Sequence, residues 1–368
     1  MAEPLSAAWP RVCIVGPLPP PSGGMANQCE QLVRLLGGEG VQVELVRSNA
    51  PCRPAWVGRV PMLRAAFRLV PYGVRLLRAA GRVDLVHVLA NSGWAWHLLA
   101  APALWAARLR GTPVVVNYRG GNAESFFAAA PRHVLRSLAR ATLCVTPSAF
   151  LQRVFAQHGL AAEVVPNIID LSRFTSVAAR DFGDAPRLVV ARNLEPIYDM
   201  PTAMRALVAV RARFANATLV IAGSGPELSS LQALAVQLGI DQAVQFAGRI
   251  DNARMPELYA RADLVLNPST VDNMPISLLE AFASGVPVVS TDAGGIPDMV
   301  EHDRSGLLVP IGDDQAMARE AIRVLTDAAL RARLVAAGLA EARRYAWPQV
   351  REQWRSAYWR AVEGARAA

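Results

Sequence analysis

The segment from Ala262 to Gly295 constrains this chain most, because its pattern fits one kind of unit. Ala262-Asp-Leu-Val-Leu-Asn267 is a short apolar run that reads as a buried strand, and Pro268 and Ser269 end it. Ile276 to Ser284 carries apolar residues at helical spacing, and Gly285 with Pro287 stops that helix. Val286 to Ser290 is the next strand. Strand, loop, helix and strand make one βαβ unit, so the chain is α/β with a parallel sheet. In a doubly wound sheet, ligands sit at the C-terminal ends of the strands. The loop from Asp272 to Ser277 occupies such an end.

Two carboxylates lie in that unit eight residues apart, Asp272 in the loop and Glu280 one to two turns into the helix. A loop acid reaches over the helix start, while a helical acid points along its side. Together they can hold two hydroxylated parts of one extended ligand. The backbone N–H groups of Met274, Ile276 and Ser277 at the helix start suit an anion, and Pro275 has no N–H to offer. An ordinary βαβ unit with two solvent-facing acids would carry the same pair. The acids alone leave both readings open.

The longer run separates them. Asp272, seven residues, Glu280 and then Ala281-Phe-Ala-Ser-Gly-Val-Pro-Val-Val289 resemble the donor-binding signature of the retaining GT-B glycosyltransferases of family 4. In that family two acids flank seven residues before Ala-x-Ala-x-Gly-x-Pro-Val-Val. The first acid is usually Glu, so Asp272 is a shortened variant. The resemblance implies a GT-B chain, two Rossmann-like doubly wound domains facing a central cleft. It also implies that Glu280 binds ribose hydroxyls, that Asp272 orients the sugar, and that the helix-start N–H groups meet the diphosphate.

A chain of 368 residues is too long for one ordinary core and suggests two domains. With the resemblance, the alternating pattern divides it into an N-terminal Rossmann-like acceptor-binding domain at 1–175 and a linker at 176–186. A Rossmann-like donor-binding domain at 187–345 follows, and a helix at 346–368 crosses back to the first domain. All 38 basic residues are Arg, which excludes chemistry that needs a lysine amine, including a Walker-A phosphate loop and a pyridoxal Schiff base. Cys13, Cys29, Cys52 and Cys144 show no CxxC and read as reduced thiols of a cytoplasmic protein without a metal cluster. Met1 to Pro10 lacks the charged start and apolar core of a signal peptide. Gly93 to Ala107 is apolar but shorter than the roughly 20 residues that span a bilayer, so a buried helix is expected there.

The charge is uneven. Residues 1–172 hold 17 Arg against 8 acids, hence +9, and residues 173–368 hold 21 Arg against 22 acids, hence −1, which sums to the net +8 of the chain. Arg53 to Arg82 interleaves arginines with Trp56, Val60, Leu63, Phe67, Val70, Val74 and Leu77, a basic amphipathic segment read as two helices broken at Pro71. Such a segment either lies on anionic lipid, making the protein peripheral on the inner face of the membrane, or packs its apolar face on the sheet. No nucleic acid is expected as a partner.

Two loops in the first half and three in the second carry the remaining expectations. Gly23-Gly24 stands between a strand ending at Gly16 and a helix, where glycine lets backbone approach a ligand; it also matches the family loop that faces the donor diphosphate. The strand Pro113 to Tyr118 runs into Arg119, where many relatives carry a histidine near the sugar. Tyr118 or Arg119 takes that place, so no histidine base is supported. Arg119 faces phosphate or an anionic acceptor, or makes a structural salt bridge. In the second half Arg192 follows the strand Arg187 to Ala191 and fits the family's phosphate-binding arginine, able to clamp phosphate in a bidentate manner. The lysine expected five residues later is Ile197. Gly223-Ser-Gly225, between a strand and a helix, adds a weak nucleotide signal. Arg249 and Ile250 end a segment that resembles the one meeting the nucleobase edge.

The resemblance implies a retaining transfer from a nucleotide-diphosphate sugar, UDP or GDP, to a glycan or lipid-linked acceptor in bacterial cell-surface polysaccharide synthesis. Arg192, Asp272 and Glu280 form the catalytic set. No DxD motif is present, so neither a metal nor a cofactor beyond the nucleotide sugar is expected. Two rivals share the nucleotide site: a GT-B-type nucleotide-sugar epimerase, for which His87, His97 and His158 lack the context, and a non-catalytic sugar-nucleotide-binding partner.

Overall fold

The computed structural model describes residues 8–20, 23–51, 61–175 and 183–367. Cys52, the start of the basic segment at 53–60, and 176–182 of the expected linker lie outside the described residues.

The chain forms two compact units, residues 1–168 with 347–368, and residues 169–346. The first is built on β1 (Val12–Gly16), β2 (Val43–Arg47), β3 (Leu85–Ala90), β4 (Val114–Tyr118), β5 (Leu143–Thr146) and β6 (Glu163–Val164), in the order β2-β1-β3-β4-β5-β6. Every pairing is parallel. β1, β3 and β4 are buried along their whole length, so their near-continuous Val, Ile and Leu content is what a sheet covered on both faces requires. One face packs on Leu76, Leu104 and Phe155, and the other on Leu36, Trp354 and Tyr358.

The second unit uses β7 (Arg187–Ala191), β8 (Thr218–Ala222), β9 (Val244–Gly248), β10 (Leu264–Asn267), β11 (Val288–Thr291) and β12 (Leu307–Val309), in the order β12-β11-β10-β7-β8-β9. All pairings are again parallel. The order reverses between β7 and β10, which makes the crevice beyond their C-terminal ends the place where a doubly wound sheet binds ligands.

The expected βαβ segment forms as β10, the helix Ile276–Ala283 and β11. Its stop signal works through Gly285, at φ +69°. The Gly285 N–H donates to the Phe282 carbonyl at 3.1 Å and the Val286 N–H to the Ala281 carbonyl at 3.0 Å, the two bonds of a Schellman cap.

Two expectations are corrected. Pro71 does not break the basic segment, because one helix runs from Pro61 to Ala80 through it. Proline removes a single helical hydrogen bond, and the packing of Tyr72, Leu76, Ala79 and Ala80 beyond it keeps the helix going. The helix expected within Gly93–Ala107 begins at Trp94, passes through a π-helical turn, Trp96–Ala100, and continues as the α-helix Ala101–Leu109. The unit boundary falls at 168, ahead of the expected 175, because Ile169 and Phe174 are buried in the second core and the Ile169 N–H donates to the Tyr345 carbonyl at 3.0 Å.

The last helix, Trp347–Ala367, belongs to the first unit. Its Tyr358 hydroxyl meets His87 Nδ1 at 2.7 Å, and its Trp354 ring lies 4.8 Å from the imidazole. Burial pulls His87 down to about 3, so it is a neutral core residue. Cys13, Cys29 and Cys144 are buried free thiols, each pushed up to about 12 by burial and therefore unreactive.

Candidate active site

The site takes shape at the β7/β10 switch point. Arg192 is the first residue after β7 and Asn267 the last of β10. The Arg192 Nε donates to Asn267 Oδ1 at 3.1 Å, and its Nη2 pairs with the Asp272 carboxylate. The two side chains are 13% and 12% exposed, which rules out the solvent-facing reading of Asp272. The Arg192 guanidinium also lies over the Tyr198 ring, 5.1 Å from its centroid. Asn267 is itself fixed, donating to Ser290 Oγ at 2.9 Å and accepting from Ser269 Oγ at 3.0 Å. Burial raises Asp272 above the usual carboxylate range, and the opposing Arg192, the Asn273 N–H and the Ser269 hydroxyl offset part of that rise. Arg192 and Asp272, given separate tasks by the sequence, are therefore partners of each other.

Glu280 stands on the helix Ile276–Ala283 and is 7% exposed. Burial pushes it up to about 7. The Tyr259 hydroxyl, which donates to Glu280 Oε2 at 3.0 Å, opposes the rise, as do the guanidinium groups of Arg173 and Arg192. No side chain caps the start of this helix, and the Leu278 N–H already turns back to the Pro275 carbonyl at 3.2 Å. Among the described residues the N–H groups of Ile276 and Ser277 are the first-turn donors left without a hydrogen-bond partner. Met274 is buried at 6% exposure in the second core.

Gly223 and Gly225 have a structural reason to be glycine. A Cβ at Gly223 would lie 1.8 Å from the Arg192 carbonyl oxygen, and one at Gly225 2.2 Å from that of Leu194. The loop after β8 packs backbone to backbone on the loop that carries Arg192, joined by the Leu194 N–H to the Ser224 carbonyl at 3.1 Å. These glycines set where Arg192 sits. Arg249 is exposed just beyond β9, and Ile250 packs against the second core.

In the first unit, Gly23 and Gly24 are exposed at the start of the helix Gly24–Gly38, which has no side-chain cap. Tyr118, expected on the acceptor side, is a core residue. It is fully buried between Phe127 and Phe155, with its hydroxyl 2.7 Å from Ser92 Oγ. As the last residue of β4 it points into the sheet's packing layer. Arg119 hydrogen-bonds the Asn167 side-chain oxygen, a neutral partner in place of the salt bridge considered above. Burial brings it down to about 10, which leaves it cationic at neutral pH.

Sequence reasoning missed Asn267, Tyr198, Tyr259 and Arg173. Arg173 lies in the turn Leu171–Arg173, and its guanidinium donates to the Asn252 carbonyl.

Comparison with known proteins places the chain in a family. Residues 22–173 match the family model described as Glycosyltransferase Family 4, and residues 176–340 match Glycosyl transferases group 1. The GDP-mannose-dependent alpha-(1-6)-phosphatidylinositol monomannoside mannosyltransferase of Mycobacterium tuberculosis is 30% identical over 378 residues, covering 94% of each chain. A D-inositol 3-phosphate glycosyltransferase of Salinispora tropica is 28% identical, over 93% of this chain and 82% of the relative. Among solved structures, Anabaena HepE in complex with UDP superimposes with a TM-score of 0.71 at 18% identity, over 94% of this chain and 98% of that one. Sucrose-phosphate synthase of Thermosynechococcus elongatus gives 0.74 at 18% identity, over 95% and 98%. The two six-stranded parallel sheets are the two domains of a GT-B fold, and the chain belongs to glycosyltransferase family 4.

Proposed function

We propose that this glycosyltransferase moves a sugar, with retention, from a UDP- or GDP-sugar to a glycan or lipid-linked acceptor in cell-surface polysaccharide synthesis. The observation that carries the reading is the meeting of Arg192, Asp272, Glu280 and an uncapped helix start at the switch point. Glu280 accepts hydrogen bonds from ribose hydroxyls. The N–H groups of Ile276 and Ser277 and the Arg192 guanidinium take the charge that grows on the departing diphosphate, and being held in place beforehand they need little reorganisation. Asp272 orients both Arg192 and the sugar. The acceptor hydroxyl attacks from the face the diphosphate leaves, and a phosphate oxygen takes its proton. With no DxD motif in the sequence, the reaction proceeds without a metal ion.

Thermal-shift screening with UDP, GDP and ADP tests the donor reading, since a ligand at a hundred times its dissociation constant adds about 2.7 kcal/mol. Hydrolysis and transfer assays with the matching sugars follow. No shift with any of the three nucleotides would sink the reading.

The lipid-linked acceptor draws support from the first unit's exterior. Of the twelve large apolar side chains exposed among the described residues, eight fall between 67 and 109. On the helix Pro61–Ala80, Phe67, Val70, Val74 and Leu77 are exposed on one side, while Tyr72, Leu76 and Ala79 are buried on the other. Trp94, Leu98, Trp105 and Leu109 form a second exposed set. Between Glu44 and Asp84 the sequence has eight Arg and no acid. Apolar side chains flanked by arginine alone suit an anionic bilayer. The mycobacterial relative's name also carries a phosphatidylinositol acceptor. The purified protein should pellet with phosphatidylglycerol vesicles at low salt and release at high salt, and Val70→Asp with Trp94→Asp should abolish this. Equal recovery with neutral and anionic vesicles would remove the membrane from the proposal.

A further inference from the structure

Glu280 is an acid in an unusual position: nearly sealed from solvent, yet required to accept from ligand hydroxyls. Burial alone favours the protonated carboxyl, which has given up part of its acceptor capacity and gained a donor that competes with the ligand's own O–H. Something in the fold has to hold the ionised form and choose which oxygen faces outward.

The side chain placed to do both is Tyr259, at the end of the short helix Met255–Tyr259. Its ring is fully buried and meets the Phe174 ring edge-on at 6.2 Å. Its hydroxyl donates to Glu280 Oε2 at 3.0 Å and reaches the Ser277 carbonyl at 3.2 Å. Ser277 and Glu280 are three residues apart, on one face of the helix that offers its first-turn N–H groups to the ligand. One phenol therefore ties the helix's first turn and its acid to a rigid neighbour. Oε2 is occupied, and among the described residues Oε1 has no hydrogen-bond partner.

We propose that Tyr259 is a positioning residue for nucleotide binding, one that holds Glu280 as an outward-facing carboxylate acceptor through Oε1. This rests on the donor-site reading above. Three groups face Glu280 from the elements packed around it: Tyr259, Arg173 from the turn at 171–173, and Arg192 from the loop after β7. Burial beside the Glu280 charge holds the Tyr259 hydroxyl well above its ordinary value, so it stays a donor. Within this group the Glu280 proton is the one that moves near neutrality.

Tyr259→Phe keeps the ring and deletes the donor. In the unliganded protein labelled with carboxyl-13C glutamate, the Glu280 titration, assigned by its loss in Glu280→Gln, should move upward by about one pH unit on losing one hydrogen bond to a charged group. Affinity for UDP or GDP, whichever wild type binds, should fall about fivefold at pH 7, as the ionised share of Glu280 drops from about a half to about a tenth, and recover as the pH is raised. Turnover at saturating donor should change little. In a Glu280→Gln background, adding Tyr259→Phe should leave the pH profile flat. An unmoved Glu280 titration in Tyr259→Phe overturns the proposal whatever the ligand, as does an affinity loss that is equal at all pH values. If the titration moves but wild type binds neither nucleotide, the coupling stands and the donor-site reading falls.

Discussion

At the C-terminal end of β10 the polar groups answer one another: Asp272 with Arg192, Arg192 with Asn267, Asn267 with Ser290. At the C-terminal end of β4, in a sheet of the same size and the same parallel hand, the residues turn inward. Tyr118 fills an aromatic cluster, and Arg119 has a neutral amide for a partner. The second unit brings Arg192, Asp272 and Glu280 together, largely buried, at the switch point, whereas residues 1–172 carry an excess of nine positive charges. Two six-stranded parallel sheets thus end in loops of different chemistry, polar and paired in one and packed inward in the other.

The comparison breaks most sharply at Arg192. Arg192→Ala removes the guanidinium of the switch point and should lower turnover by at least about a hundredfold, the cost of one preorganised donor. It also leaves Asp272 buried without its partner, so melting should show a loss on the order of 3 kcal/mol. Arg192→Ala with Asp272→Asn relieves that second effect and isolates the first, with stability regained and turnover still low. Arg192→Lys should rescue little, since a point charge lacks the planar fork that reaches Asp272 and Asn267 together. Near-normal turnover in the single variant would mean that Arg192 does not carry the leaving group, and would erase the contrast between the units.

Glu280→Gln sharpens the contrast through pH. In the folded state Glu280 lies at about 7, against 4.5 for the free side chain. Below about pH 4.5 it is neutral in both the folded and unfolded chain and costs nothing. As pH rises through 7 the folded chain must ionise a buried acid, at a cost of about 3 kcal/mol. The unliganded Gln variant should therefore melt higher than wild type at pH 8 and equally at pH 4.5. Its nucleotide affinity at pH 8 should drop about tenfold, since a neutral acceptor replaces a charged one. A variant less stable than wild type at pH 8 would show that Arg173 and Arg192 need the charge more than burial penalises it.

What was legible in the sequence follows distance along the chain. The strand, helix and stop around Asp272 and Glu280 lie within about thirty residues, and local spacing with a glycine stop encodes them. Tyr259, Asn267 and Tyr198 act through partners brought together by the parallel crossovers: Arg192 is 75 positions from Asn267 and 80 from Asp272. No local pattern signals such a meeting. Tyr118 was misjudged because a strand's last residue can face either layer, and only the packing of Phe127 and Phe155 settles which. Gly223 and Gly225 were legible as glycines but not for their reason, which is the backbone of another loop.

The smallest effect is expected at Ile197, where the family's lysine is absent. Its main chain is fixed without help from its side chain: the Ile197 carbonyl accepts from the Thr270 N–H at 2.8 Å and from the Thr270 hydroxyl at 3.1 Å. Pro196 starts the turn Pro196–Tyr198, and the next side chain, Tyr198, already supports Arg192 from below. The half-buried Ile197 side chain can therefore be exchanged with the turn intact. Ile197→Lys should change stability by no more than about 0.5 kcal/mol, as at most sites away from the core. The ammonium group would add a second cation beside Arg192, whose own charge Asp272 already balances. Turnover should rise modestly, and Arg192→Ala in this background should cost less than in wild type, because the two cations share the leaving diphosphate. A full hundredfold loss in both backgrounds would mean that position 197 does not reach the phosphates, and that Arg192 and the helix-start N–H groups serve the leaving group alone.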